Sequence, residues 1–183
     1  MLVNLRALLA RLVDIVLMRG GAENLPASPS LLVIMVVLNL AVTATTLALI
    51  PMSHETSIFE LVVSVLVPLL WYQLAFALAN KAERFVQTMI AFFGLNILFQ
   101  PLLAPMIATL LPYVEKQDPN VTPPAALSLL FFLVAVWLLI IWARVVRAAF
   151  EWPYFVAIIF IFGQNIAAVF VDAMLFGASP GSV

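Results

Sequence analysis

Five long uncharged apolar stretches, punctuated by short basic clusters, predict an all-α membrane protein: an antiparallel bundle of five transmembrane helices preceded by an amphipathic interfacial helix. Three observations carry this. Of 183 residues, 66% are hydrophobic and 9% charged, against roughly half apolar in a soluble domain. The mean hydropathy is +1.19. The eight Lys and Arg residues fall almost entirely between alternate pairs of apolar stretches, as the positive-inside rule requires of cytoplasmic segments.

The opening segment, residues 1–30, is an interfacial helix and its connector. Leu2, Leu5, Leu9, Leu12 and Val16 recur at helical spacing, with Asn4, Arg11 and Asp14 on the opposite side. Arg6, Arg11 and Asp14 interrupt it too often for a signal-peptide core or a spanning helix, so it is expected to lie in the membrane plane. Arg19 and Gly20-Gly21 end it, and Pro26 and Pro29 mark a connector.

Residues 31–50 supply the roughly 20 apolar residues that cross about 30 Å of hydrocarbon as a helix. Pro51 and the polar run to Thr56 make an outer turn, and residues 58–78 form a second span with Pro68 near its middle, where a kink is expected. Lys81, Glu83 and Arg84 return the chain to the first side. The third span, 85–111, carries Pro101, Pro105 and, just beyond, Pro112, which should bend or break its outer half. Tyr113 to Pro124 reads as the longest outer loop. Residues 125–143 form a fourth span closed by Arg144 and Arg147, and residues 154–176 a fifth, followed by a flexible tail, 177–183.

Arg6, Arg11, Arg19, Lys81, Arg84, Arg144 and Arg147 thus share one side and Lys116 the other. This places the amino terminus in the cytoplasm and the carboxyl terminus outside. Trp142, Trp152 and Tyr154 flank the arginine pair, where amphipathic rings favour the headgroup layer. The compact loops suit a bacterial inner membrane, with the carboxyl terminus periplasmic.

Polar residues inside the spans follow helical spacing: Asn39, Thr43 and Thr46 in the first, Asn96 and Gln100 in the third, and Gln164, Asn165 and Asp172 in the fifth, with Gln73 in the second. Asn39, Thr43, Asn96, Gln100, Gln164, Asn165 and Asp172 therefore form the candidate intramembrane polar site. Its first reading is interhelical hydrogen bonding, worth on the order of 1 kcal/mol per side chain, and its second a hydrated path. Asp172 is the one carboxylate set well inside a span and so a functional candidate. Gly163 and Ala167 form a small-xxx-small pair suited to close packing. Phe92, Phe93, Phe99, Phe131, Phe132, Phe155, Phe160 and Phe162 are expected to face lipid or a partner.

Chemistry is sparse. The chain has no cysteine and one histidine, His54, beside Ser53 and Glu55 on a turn. His54, Glu55, Glu60, Glu115 and Asp118 share the outer side without a metal-ligand spacing and read as solvated charges. Gly177-Ala178-Ser179-Pro180-Gly181 matches G-x-S-x-G but has no strand before it and no helix after it. Asn120-Val121-Thr122 matches a glycosylation sequon followed by Pro123. No enzyme activity, cofactor, metal or nucleic-acid partner is expected; the expected partners are the lipid bilayer and other membrane subunits or further copies of the chain.

Five packed spans, an amphipathic start, an outward carboxyl terminus and the fourth-span exit Val136-Trp137-Leu138-Leu139 through Arg144-Val145-Val146-Arg147 resemble the Yip domain family over roughly residues 55–176. The resemblance implies a non-enzymatic membrane organiser, without the Rab binding of eukaryotic members. The expected function is that of a structural or accessory subunit acting through helix contacts; the alternative is a small transporter or channel using the polar stripes, opened at Pro68, Pro101 and Pro105.

Overall fold

A computed structural model of the chain describes residues 5–49, 58–115 and 122–177. Arg6 falls within these segments, whereas His54, Glu55, Lys116, Asp118, the sequon Asn120 and Ser179 lie outside the described residues. The elements are α1 (Leu5–Val16), α2 (Pro29–Leu49), α3 (Ile58–Leu78), α4 (Phe85–Glu115), α5 (Ala125–Phe150) and α6 (Tyr154–Phe176), with single 3-10 turns at Ala22–Asn24 and Ala82–Arg84. Among the described residues there is no β-strand. Helices α2 to α6 are each long and apolar enough to cross a membrane, and lipid, which cannot satisfy backbone groups, admits such segments only as helices.

Local chemistry sets the boundaries. Pro29 opens α2 with the fixed φ of a first helical turn, and Ser28 Oγ accepts the Leu31 N–H at 3.4 Å. Helices α1, α3 and α5 all end at left-handed, non-glycine residues: Met18 (φ 59°), Asn80 (φ 53°) and Glu151 (φ 60°). After α1 and α3 the reversal is a Schellman motif. Arg19 N–H donates to Asp14 O (2.8 Å) and Met18 N–H to Ile15 O (3.0 Å), while Lys81 N–H donates to Phe76 O (3.0 Å) and Asn80 N–H to Ala77 O (3.3 Å).

Two helices run longer than the sequence suggests. Helix α4 continues unbroken through Pro101, Pro105 and Pro112 to Glu115. Within it, Thr109 Oγ1 donates to the Pro105 carbonyl at 2.7 Å, one turn back on the same helix. Helix α5 passes Arg144 and Arg147 and ends at Phe150, because its last two turns are a packing surface: Val145, Val146, Ala149 and Phe150 are buried. The arginines therefore mark a solvent boundary rather than a helix end. At 1.5 Å per residue, α4 is about 46 Å long and α5 about 39 Å, both beyond the roughly 30 Å of hydrocarbon.

Successive spans alternate in direction, so α2 and α4 run parallel, and theirs is the most extensive interface. Helix α4 is the central column: Thr88 to Leu95 are buried without interruption. Helices α2, α3 and α5 surround it, α1 and the Ala22–Asn24 turn pack across its first turns, and α6 lies against α3 and α5. This corrects the expectation for the phenylalanines. Phe92, Phe93 and Phe99 are buried because they belong to the central helix; Phe131 and Phe160 are half-buried, and Phe132, Phe155 and Phe162 are exposed.

Helix α1 packs against the bundle. Leu8, Leu12 and Ile15 are buried in the bundle, while Leu5, Leu9, Val13 and Leu17 are exposed, so its apolar sector is divided between protein and surroundings. The docking point is Gly94 of α4. A Cβ there would stand 2.7 Å from Leu12 Cδ2 and 3.1 Å from Met35 Cε, so a larger residue would displace the side chains with which α1 and α2 meet α4. Replacing Gly94 by Leu is expected to cost about 1–3 kcal/mol through overpacking and to release α1. A Leu12→Cys probe in this cysteine-free chain reads the release as faster maleimide labelling, alongside a lower thermal midpoint; unchanged labelling and midpoint would contradict the docking.

Candidate functional site

Two polar regions emerge. The first lies between α2 and α4. Thr43 Oγ1 donates to Gln100 Oε1 at 3.0 Å, and both residues lie about 22 Å along their helices from Pro29 and Phe85 at the helical rise, deep in the spans. One turn nearer the start of α2, Asn39 is 4% exposed, and its Oδ1 is buried without a hydrogen-bond partner. Asn96 precedes Gln100 by one turn on the same face of α4 and is half-buried. Thr46 turns its hydroxyl back to the Val42 and Thr43 carbonyls.

The fifth span does not join this layer. Gln164 is half-buried and Asn165 exposed, with Asn165 Nδ2 donating to Ile161 O of its own helix at 2.8 Å. Asp172 is exposed on the same helix, and Gln73 is exposed on α3. The candidate polar residues thus divide into a buried group on α2 and α4 and a separate, more exposed set on α6. The small pair has a different use: the Trp71 indole packs on Gly163, where a Cβ would stand 3.2 Å from Trp71 Cζ2. The Trp71 Nε1 is buried with no partner.

The second region is the end of the bundle where the basic residues gather. Lys81 Nζ donates to the Phe150 carbonyl (3.0 Å) and to Glu151 Oε2 (2.6 Å). Arg84 Nη1 reaches the Ala148 and Ala149 carbonyls, each at 3.2 Å, and its Nη2 lies 2.7 Å from Glu151 Oε1. Arg144 Nη2 donates to the Met18 carbonyl at 3.0 Å. The cations therefore satisfy carbonyls that the ends of α5 and α1 leave without helical partners, where the macrodipole also favours positive charge. Hydrogen bonds from Lys81 and then Arg84 hold the Glu151 carboxyl below its usual range. Gln87 Nε2 donates to Leu25 O at 2.8 Å and ties the 22–24 turn to α4.

An aromatic layer lies on these bonds. Phe76 stacks on Phe150 (centroids 4.1 Å) and Phe150 on Trp152 (4.2 Å), while Trp142 packs on Phe92 (4.6 Å). Arg147 sits 4.7 Å over the Tyr154 ring, and Arg6, Arg11 and Arg19 are exposed. Comparison with family models, curated proteins and solved structures finds no match to this chain. Its reading therefore rests on these contacts alone.

Sequence reasoning assigned the lysine and arginines to orientation and missed that three of them cap carbonyls. The signal was partly available: Lys81 follows the residue that ends α3 and Arg84 the turn after it, and Arg144 lies in the last two turns of α5. The orphan amide of Asn39 generates one prediction. A buried, unpaired acceptor costs stability that an apolar side chain of similar size does not, so Asn39→Leu is expected to leave the thermal midpoint unchanged or raise it. A loss of more than about 1 kcal/mol, the scale of an intramembrane hydrogen bond, would show that the amide is bonded in the membrane.

Proposed function

We propose that the chain is a non-enzymatic accessory subunit of an inner membrane, acting through lateral helix contacts made by the halves of α5 and α6 remote from the basic end. In this reading the basic end faces the cytoplasm with the amino terminus, and the carboxyl terminus is periplasmic. The observation that carries it is a gradient of packing. From Ala125 to Ile140 no residue of α5 is buried, and the same holds for α6 from Phe162 to Phe176. Leu129, Phe132, Leu133, Trp137, Phe170 and Met174 are among the large side chains left exposed. Apolar exposure alone suits lipid; two adjacent helices with no buried residue over half their length also leave room for partner helices. The organiser role implied by the likeness to Yip domain proteins belongs to the same proposal.

A transport reading has one observation in its favour, the unpaired Asn39 acceptor beside the Thr43–Gln100 bond. The accessory reading is preferred because the α6 amides and Asp172 stand apart from that layer, so the stripes do not combine into one path.

The test is photo-crosslinking in native membranes with a reactive side chain placed at Phe132 or Phe170, and at Val33 and Ile34 of α2 as controls. One defined protein adduct is expected from the α5 and α6 positions and not from α2. Lipid adducts alone, with recovery of a lone monomer, would remove the proposal.

A further inference from the structure

A cavity of about 240 Å³ opens between the turn that ends α1 and the last turns of α5. Arg19, Arg144 and Arg147 line it, with Glu23 at its side and Gly20 and Ile15 beneath. The charge is unbalanced, three guanidinium groups to one carboxylate. Their commitments differ. Arg144 gives one N–H to the Met18 carbonyl, Arg147 is held over Tyr154, and Arg19 makes no side-chain hydrogen bond or ion pair among the described residues. Lys81 and Arg84, by contrast, are ion-paired, both with Glu151 and Arg84 also with Glu83 at 4.0 Å, whereas the three arginines of this cavity form no ion pair among the described residues.

We infer that the cavity binds the phosphodiester of an anionic glycerophospholipid. Guanidinium groups present forked donors matched to phosphate oxygens, and three of them converge. The volume equals roughly eight water molecules at about 30 Å³ each, enough for a glycerophosphate headgroup. The surroundings are those of a bilayer surface rather than open solvent: Tyr154, under Arg147, opens α6, and Phe155 and Ile159 continue an exposed apolar surface down that helix, a path for acyl chains. Basic pockets between helices at the membrane surface recognise lipid headgroups by this combination. Glu23 disfavours a second phosphate and accepts from headgroup hydroxyls. The inference holds whichever partner α5 and α6 meet.

The test uses the full chain in phosphatidylcholine nanodiscs, titrated with phosphatidylglycerol and, separately, with glycerol phosphate and inorganic phosphate, reading retained lipid by native mass spectrometry and the thermal midpoint. Phosphatidylglycerol is expected to be retained and to raise the midpoint. The double variant Arg19→Gln, Arg147→Gln should weaken it about tenfold or more, the scale of losing even one hydrogen bond to a charged group. The control pair Arg6→Gln, Arg11→Gln, which removes equal charge from α1 outside the cavity lining, should change binding little. Both pairs should fold as the parent does in phosphatidylcholine, since none of these side chains donates to a protein carbonyl. Equal weakening by the control pair, or retention of phosphatidylglycerol no greater than of phosphatidylcholine, would overturn the site. Full competition by inorganic phosphate would make it a site for the free anion and overturn the lipid assignment.

Discussion

Cationic side chains closing the carbonyl ends of helices are the constraint on which the rest of this structure depends. Helices α1, α3 and α5 all finish at the same end of the bundle, each in a left-handed residue; α3 closes on itself in a Schellman motif, whereas cations reach the carbonyls left at the ends of α5 and α1. Lys81 and Arg84, from the α3–α4 connection, reach the end of α5. Arg144 reaches the end of α1. Charges that the positive-inside rule treats as topological markers are here also the bonds between elements distant in sequence.

The packing gradient follows from where water is. Between apolar helices inside hydrocarbon there is little hydrophobic driving force, since lipid tails are as apolar as leucine. At the basic end water competes, and burial is favourable again. That is where the chain places its aromatic stack of Phe76, Phe150 and Trp152, the docked row of α1, and the wholly buried stretch Thr88–Leu95 of α4. Toward the other end the stripe Ala157, Ile161, Gln164, Ala168, Val171 on α6 passes from buried to half-buried. The bundle is a closed collar with a looser half remote from it, and function by lateral contact is proposed for the looser half.

Much of this was legible in the sequence, for identifiable reasons. The number of apolar helices and the all-α class follow from hydrocarbon thickness and the spacing of charges. The ends of α4 and α5 were not legible because Arg144 and Arg147 look like a stop signal when only lipid is considered, whereas Val145, Val146, Ala149 and Phe150 have a protein surface to cover. The centrality of α4 was hidden too. A helix with apolar residues on every side reads the same whether lipid or protein surrounds it, and the close contacts at Gly94 appear only in the structure. The polar stripes were visible as periodicity, but periodicity on separate helices does not say which stripes face each other; α2 and α4 meet at Thr43 and Gln100, and α6 keeps Asn165 for its own backbone.

The most direct test of the account compares two double variants of equal charge change, Lys81→Met with Arg84→Met, and Arg6→Met with Arg11→Met, by thermal unfolding of the full chain in lipid nanodiscs. The first pair removes donors to the α5 carbonyls; the second removes exposed cations that cap none. The account predicts a loss of about 1.5 kcal/mol or more per capping cation, the low end for hydrogen bonds to charged groups, and little change for the second pair. Equal midpoints for the two variants would contradict it.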